Sequence, residues 1–216
     1  MPTILLADDH PLFRLALKSA VGQALGDCEI AQADDVDGLF KLIEQYRDAD
    51  LLLLDLNMPG AQGFSALAQV RGTRPGLPVV VVSGRDDPQT IRRALAHGAA
   101  GFIPKSTDMG RIKEALTAVL DGEIWSPQGE QPASLAPEEA DLARRLAELT
   151  PQQFRVLGMV CTGLLNKQIA YDLGVSEATI KAHMTAILRK LGVHTRTQVV
   201  MMVNQLQLDE AGAEHG

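Results

Sequence analysis

Apolar runs alternate with segments of helical periodicity over the first 121 residues. The runs cover residues 3–7, 29–33, 51–54, 79–82 and 101–103. The continuous LLLL and VVVV runs lack the alternation of a half-exposed strand, so they favour parallel strands covered by helices on both faces. Each intervening segment is long enough for one helix. The pattern therefore predicts an α/β doubly wound, flavodoxin-like domain of five parallel strands over residues 1–121.

The segment 122–148 has a different character, because it contains several prolines and glycines and little periodic apolar signal before Leu142. Such composition is typical of a linker. Its second half, beginning with Pro137, favours a helix, since proline suits the first helical position and acidic residues suit the first turn. We therefore predict a linker that is partly helical.

The sequence after the linker predicts an all-α domain over residues 149–208. Its helices are expected from residue 151, from 166 to 173, from after Ser176 to about 191, and from about 195 to 206. Thr150, Pro151 and Gln153 have the arrangement of a capping box, and Gly174 with Ser176 supplies a turn and a new N-cap. A short helix, a turn and a longer helix are typical of a helix-turn-helix. The acidic tail 209–216 is expected to be disordered.

Charge is distributed unevenly within the net charge of −7. Residues 1–149 carry 14 basic and 22 acidic side chains, whereas residues 150–207 carry 6 basic and 2 acidic ones. This asymmetry fits either nucleic-acid binding by the C-terminal part or an ordinary solvated face. No apolar run reaches the roughly 18 residues that suggest a membrane span, so we expect a cytoplasmic protein without a membrane partner.

Polar side chains follow the predicted strands where each one ends. Asp8 and Asp9 follow the first strand, Asp55 the third, Ser83 the fourth and Lys105 the fifth. Strand-end turn residues are one interpretation. However, sites in such sheets lie at the carboxyl ends of the strands, where three carboxylates repel one another unless a cation separates them. An all-oxygen set favours Mg²⁺, and a lysine with a hydroxyl nearby would suit a phosphoryl group.

Four motifs carry a family resemblance. ADDH at 7–10, DLNMPG at 55–60, SG at 83–84 and GFIPKS at 101–106 resemble the receiver domain of bacterial two-component response regulators. The resemblance covers residues 3 to about 121. It implies that Asp55 is the phosphoacceptor, a carboxylate that takes a phosphoryl group from a sensor histidine kinase.

The same resemblance implies roles for the other pocket residues. Asp9 and Asp55 would bind Mg²⁺ directly, together with the backbone carbonyl of Asn57, while Asp8 would act largely through water. Lys105 and Ser83 would contact the phosphoryl oxygens. Phe102 lies where the family has its aromatic switch, which here would work by packing alone.

The third predicted helix of the C-terminal domain has two distinct faces. Its apolar stripe consists of Ile180, Met184, Ile187, Leu188 and Leu191. A separate face carries Lys181, Ala182, Thr185 and Arg189, which suits either insertion into a major groove or an ordinary solvated surface.

Residues 149–200 resemble the LuxR-type DNA-binding domain, and the whole chain resembles the NarL/FixJ class of response regulators. By position, Lys181, Ala182 and Thr185 would face base edges. The residues implied near DNA phosphates are Lys167, His183, Arg189 and Lys190. Val199 and Val203 would form a dimer contact on the last helix. The implied partners are promoter DNA, a second copy of the chain and RNA polymerase.

These features predict a transcription regulator switched by Mg²⁺-dependent phosphorylation of Asp55, with phosphorylation freeing the DNA-binding helix from the receiver. No enzymatic activity is expected beyond phosphoryl acceptance and slow self-dephosphorylation. One alternative is a phosphatase of the haloacid dehalogenase type, although Asn57 stands where that family needs a second carboxylate. Another is a DNA-binding regulator whose receiver serves dimerisation or ligand sensing without phosphate.

Overall fold

The parallel sheet forms the centre of the N-terminal half. The computed structural model describes residues 1–207, and the predicted acidic tail lies outside the described residues. The strands are Thr3–Ala7 (β1), Glu29–Ala33 (β2), Leu51–Asp55 (β3), Val79–Ser83 (β4) and Gly101–Pro104 (β5). All four pairings are parallel, in the order β2-β1-β3-β4-β5. The predicted doubly wound fold is confirmed.

Five helices connect and cover these strands. They are Pro11–Leu25 (α1), Val36–Gln45 (α2), Ser65–Thr73 (α3), Pro88–Ala96 (α4) and Met109–Leu120 (α5). The side chains of Asp35, Asp87 and Asp108 cap α2, α4 and α5 by accepting hydrogen bonds from backbone N–H groups three residues later. Such caps satisfy donors that the first helical turn leaves free, so the sequence itself determines where these helices begin.

The two faces of the sheet pack into separate hydrophobic cores. Residues of one face, including Leu53 and Val82, pack with α1, α5 and Trp125 in what we call the α1/α5 core. Residues of the other face, including Leu54 and Val81, pack with α2, α3 and α4. That second core continues without interruption into the C-terminal helices, and we call it the shared core.

The C-terminal half is helical, as predicted. Its helices are Pro137–Ala147 (α6), Pro151–Cys161 (α7), Asn166–Leu173 (α8), Glu177–Leu191 (α9) and Arg196–Asn204 (α10). Thr150 and Gln153 form the predicted capping box, and Gly174 ends α8 in the left-handed conformation at φ 65°. Helices α8 and α9 therefore make the predicted helix-turn-helix. Within residues 1–207, none of the helices combines the length and apolar character that crossing a bilayer requires.

The C-terminal helices dock on the α2–α3–α4 side of the sheet. Helix α6 lies against α3, where Gly72 and Ala147 meet in close contact. The buried Gln69 side chain donates to the carbonyl oxygen of Leu149 at 2.7 Å. The rings of Phe40 and Phe154 meet edge to face at 5.6 Å, which adds an apolar contact between α2 and α7. The two halves thus form one packed body in this structure.

Candidate functional site

Acidic side chains and one lysine meet at the carboxyl edge of the sheet. Asp8 follows β1 and Asp55 ends β3, so they flank the point where the strand order reverses, which is where such sheets bind ligands. Both side chains are about 1% exposed. The Nζ atom of Lys105 lies 2.8 Å from Asp55 Oδ2 and 2.8 Å from Asp8 Oδ2. The structure therefore brings together residues that are up to 97 positions apart in the sequence.

Backbone hydrogen bonds hold these carboxylates in place. The N–H of Asn57 donates to Asp55 Oδ1 at 3.1 Å, and the N–H of His10 donates to Asp8 Oδ1 at 2.7 Å. Ser83 is fully buried at the end of β4, where its Oγ accepts from the N–H of Arg85 at 3.2 Å. The N–H of Lys105 donates to the Ser83 carbonyl at 2.7 Å, so these two residues are positioned together.

His10 is a pocket residue that the sequence interpretation did not place in the site. Its Nδ1 atom lies 2.7 Å from Asp9 Oδ1, 3.1 Å from Lys105 Nζ and 3.7 Å from Asp55 Oδ2. The imidazole is 61% exposed. Its position directly after the acidic pair was the available signal, since a strand end places the next side chain beside the site.

Lys105 places an ammonium group beside the buried carboxylates of the pocket. Burial by itself would lower the pKa of the Lys105 ammonium. Its hydrogen bonds with Asp55 and Asp8, together with the charges of these carboxylates, outweigh burial and raise the pKa above the usual value. Lys105 is therefore positively charged at neutral pH, as a partner for an anionic group must be.

The acidic cluster has the chemistry of a cation site. Asp8, Asp9, His10 and Asp55 offer ligand atoms that lie within 4.8 Å of one another. Lys105 Nζ lies 2.8 Å from the buried Asp8 Oδ2, and His10 Nδ1 lies 2.7 Å from the buried Asp9 Oδ1. Clustered carboxylate oxygens of this kind are the donors that a hard divalent cation such as Mg²⁺ prefers.

Phe102 is fully buried on β5, and its side chain belongs to the shared core. Its N–H donates to the carbonyl oxygen of Trp125 at 3.0 Å. The ring thus lies on the face of the sheet that the C-terminal helices complete.

The two predicted faces of α9 are separate in the structure. Lys181, Ala182, Thr185 and Arg189 are exposed, while Ile180, Met184, Ile187 and Leu191 are buried and Leu188 is half-buried. The receiver leaves the predicted DNA-facing side chains uncovered, which differs from the expectation that it holds this helix. Docking on the receiver instead involves α6, α7 and the residues Leu206 and Gln207 that follow α10. Within the C-terminal half, Lys190 of α9 donates to the carbonyl oxygen of Glu148 at 2.7 Å and to Gln153 Oε1 at 2.8 Å.

The predicted dimer contact through Val199 and Val203 requires correction. Both side chains are at most 1% exposed and pack inside the shared core. Their four-residue spacing marks the face of α10 that turns toward α7 and α9, so neither is available to a second chain here. Met201, at 67% exposure, lies on the outer face of the same helix.

Two family models match this chain. The response regulator receiver domain matches residues 4–117, and the luxR family of bacterial regulatory proteins matches residues 147–203. The glycerol metabolism activator of Pseudomonas putida is 39% identical over 213 residues, covering 95% of this chain and 96% of that protein. The nitrate/nitrite response regulator NarL of Escherichia coli K12 is 32% identical over 206 residues, covering 94% and 95%.

Solved structures agree with this match. RcsB from Salmonella enterica serovar Typhimurium, bound to a promoter with the phosphomimetic BeF₃⁻, shares the fold at a TM-score of 0.56 and 22% identity, over 95% of this chain and 99% of that one. A LuxR family DNA-binding response regulator from Silicibacter pomeroyi has a TM-score of 0.52 and 31% identity, over 59% of this chain and 98% of that one. The fold and the pocket are those of a regulator with a receiver and a DNA-binding domain. The chain belongs to the NarL/FixJ class of transcriptional response regulators.

Proposed function

We propose that a sensor histidine kinase switches this regulator by phosphorylating Asp55, and that the product binds promoter DNA as a dimer. The observation that carries the proposal is the convergence of Asp8 and Asp55 on the Lys105 ammonium at the carboxyl edge of the sheet, with Asp9 in the same acidic cluster. An Asp55 oxygen forms the bond to phosphorus as the bond between phosphorus and the donor breaks, and the leaving group keeps that bonding pair.

The pocket residues would have different roles in accepting a dianionic phosphoryl group. Asp9, Asp55 and the Asn57 carbonyl would hold Mg²⁺ directly, with Asp8 acting through water. When bound, the ion offsets the negative charge of the acidic cluster. Lys105, now paired with Asp55 and Asp8, would pair with the phosphoryl oxygens, and Ser83 would donate its hydroxyl hydrogen to one of them. Phe102 would repack in response.

The DNA-binding part of the proposal rests on α9. The exposure of Lys181, Ala182 and Thr185 supports their contact with base edges in a major groove. Lys167, His183, Arg189 and Lys190 would lie near phosphates. Since Val199 and Val203 are buried, a dimer contact through α10 would use its outer face around Met201. The three units would be the receiver at 1–121, the linker at 122–148 and the DNA-binding domain at 149–208.

The test is duplex binding by the full chain, using fluorescent DNA from the region upstream of its own operon. We expect untreated protein to bind weakly, and acetyl phosphate with Mg²⁺ to tighten binding about tenfold, within the usual range for coupled sites. Asp55→Asn should abolish the tightening, whereas Asp48→Asn, which changes an exposed acid of the same domain, should retain it. A scrambled duplex controls for non-specific binding.

The alternative of a receiver that works without phosphate makes a different prediction for this assay. Equal, tight binding by untreated, treated and Asp55→Asn protein would favour dimerisation or ligand sensing and overturn the phosphorylation switch. Loss of binding in Thr185→Ala under the same conditions would still support the role of α9.

A further inference from the structure

The loop that follows the phosphoacceptor is built into the shared core. This β3–α3 loop, residues 56–64, begins at the residue after Asp55 and carries Asn57. Leu56 and Met58 are buried in the shared core, and the carbonyl oxygen of Pro59 accepts from the N–H of Val36 at 3.1 Å. A loop anchored in this way transmits a displacement at one end to its other contacts, because packed interiors do not deform freely.

Helix α7 contacts this loop backbone to backbone. Gly158 of α7 faces Gly60 so closely that a Cβ atom on Gly158 would lie 2.6 Å from the Gly60 carbonyl oxygen. There is no side chain between the two segments that could change rotamer to absorb a shift. Movement of Gly60 by a few tenths of an ångström toward α7 would therefore force the helix away.

Leu206 and Gln207, which follow α10, contact the other side of the loop. Gly63, at φ +52°, lies against the Leu206 carbonyl oxygen, to which the N–H of Phe64 donates at 3.0 Å. The Gln207 side chain donates to Gln62 Oε1 at 2.7 Å. The DNA-binding domain thus contacts the β3–α3 loop at two separate positions, Gly60 and Gly63.

A cleft at the β3–α3 loop lies between the Asp55 pocket and the docked C-terminal helices. A cleft of about 280 Å³ is lined by both Asn57 and Gln207, together with Arg85 and Gln62. The residue proposed to offer its carbonyl to Mg²⁺ and the last described residue of the DNA-binding domain therefore border one cleft.

We infer that the β3–α3 loop couples occupancy of the Asp55 pocket to docking of the DNA-binding domain, so that each disfavours the other. This coupling rests on the proposed function and adds the structural route between the two sites, which is the β3–α3 loop. Docking holds the loop in the form in which the Asn57 N–H bonds to Asp55 Oδ1. An ion held by the Asn57 carbonyl would pull on the same loop, and a shift there would reach Gly60 and Gly63. This route is separate from repacking of Phe102 on β5.

Coupling between two sites is reciprocal, so a change in the DNA-binding domain must alter binding at the receiver pocket. Gly158→Ala provides that change in the full chain. The added methyl group collides with the Gly60 carbonyl, while alanine itself favours helix α7 relative to glycine. We expect about fivefold to tenfold tighter binding of beryllium fluoride in the presence of Mg²⁺, measured by ¹⁹F NMR titration.

Gly22→Ala is the matched control, because Gly22 lies inside α1 with no atom within 4 Å of an added Cβ. Gln207→Ala is a milder second variant that loses only the contact with Gln62, and about a twofold gain in affinity is expected. If Gly158→Ala and Gln207→Ala both bind like Gly22→Ala and wild type, the coupling is overturned. Failure of wild type to bind beryllium fluoride at all would overturn the proposed function, and the coupling with it.

Discussion

The two faces of the receiver sheet differ in what completes them. The α1/α5 core is closed by receiver helices and Trp125, whereas the shared core is closed by helices on both sides of the linker. Both are continuous and apolar. Separation of the domains would leave the first core intact and expose part of the second to water, at about 25 cal/mol per Å² of apolar surface. Opening therefore needs a compensating gain, which DNA or a second chain can supply.

Polar contacts also distinguish the two faces. At the rim of the shared core, Glu139 of α6 accepts from Arg93 at 2.8 Å and lies 2.7 Å from His97 Nε2. The His97 ring stacks on Phe64, with 5.0 Å between centroids. On α2, Asp37 pairs with Arg155 of α7 at 3.2 Å. The contacts made by Glu139 and Arg155 exist only in the docked form, so substitutions that remove them test docking separately from the stability of the receiver.

The largest expected effect is in the α1/α5 core. Leu53→Ala removes a side chain that is 1% exposed there, and we expect it to lower the free energy of unfolding by about 2–5 kcal/mol. Urea unfolding followed by the fluorescence of Trp125, which lies in the same core, measures this. Leu15→Ala, at a position 66% exposed, should change it by at most about 0.5 kcal/mol. A Leu53→Ala variant with normal stability but tighter DNA binding would contradict the division into two cores.

A smaller effect is expected at the rim of the shared core. Glu139→Gln keeps the shape of the side chain but removes the charge that Arg93 and His97 contact. We expect docking to weaken by about 1.5–3 kcal/mol, since hydrogen bonds to charged groups contribute that much. The measurements are DNA affinity without phosphorylation, which should rise, and receiver unfolding, which should not change. Glu138→Gln alters the exposed neighbouring acid of α6 and should behave like wild type; a gain in DNA affinity there would show a general charge effect.

The smallest effect is a dependence of docking on pH. Burial lowers the pKa of His97 below its usual 6.5 and outweighs Glu139, which raises it, while Arg93 lowers it further. In the undocked chain the pKa returns toward 6.5, so the undocked form binds more protons below that pH. Docking is therefore at full strength above about pH 6.5 and weakens as the pH falls below it.

Small-angle scattering between pH 7.5 and pH 5.5 should show a modest growth in radius as the solution is acidified. The groups that face His97 are Glu139 from α6, Arg93 from α4 and the Phe64 ring. His97→Gln removes the titrating group and should flatten the profile. An identical pH profile in that variant would assign the effect to other groups.

Local patterns predicted the secondary structure and the convergence of the pocket. Continuous apolar runs identified buried strands, and the rule that ligands bind at strand carboxyl ends placed Asp8 beside Asp55 from the sequence alone. Gly174 and Ser176 marked the turn of the helix-turn-helix. Each of these signals lies within a few residues of the feature it predicts.

The sequence carries no comparable local signal for the docking of the C-terminal helices on the receiver. The contact between Gly60 and Gly158 joins two backbones that are 98 residues apart, and glycine occurs in turns for many other reasons. The spacing of Val199 and Val203 identifies an apolar face of α10, but it is the same whether that face meets a core or a partner. The contact of His10 with Asp9 follows from its position after the acidic pair, whereas its contacts with Lys105 and Asp55 depend on how the strands assemble.

Lys190 serves two purposes that exclude each other. Its ammonium donates to Glu148 and Gln153 in this structure and is proposed to meet a DNA phosphate. Moving it to the duplex releases about 0.9 of a condensed counterion, so the contact steepens the dependence of affinity on salt concentration. The two protein hydrogen bonds given up oppose the gain. Lys190 can therefore steepen the salt dependence of DNA binding without raising the DNA affinity by a matching amount. A DNA titration at a single ionic strength would misjudge how much Lys190 contributes.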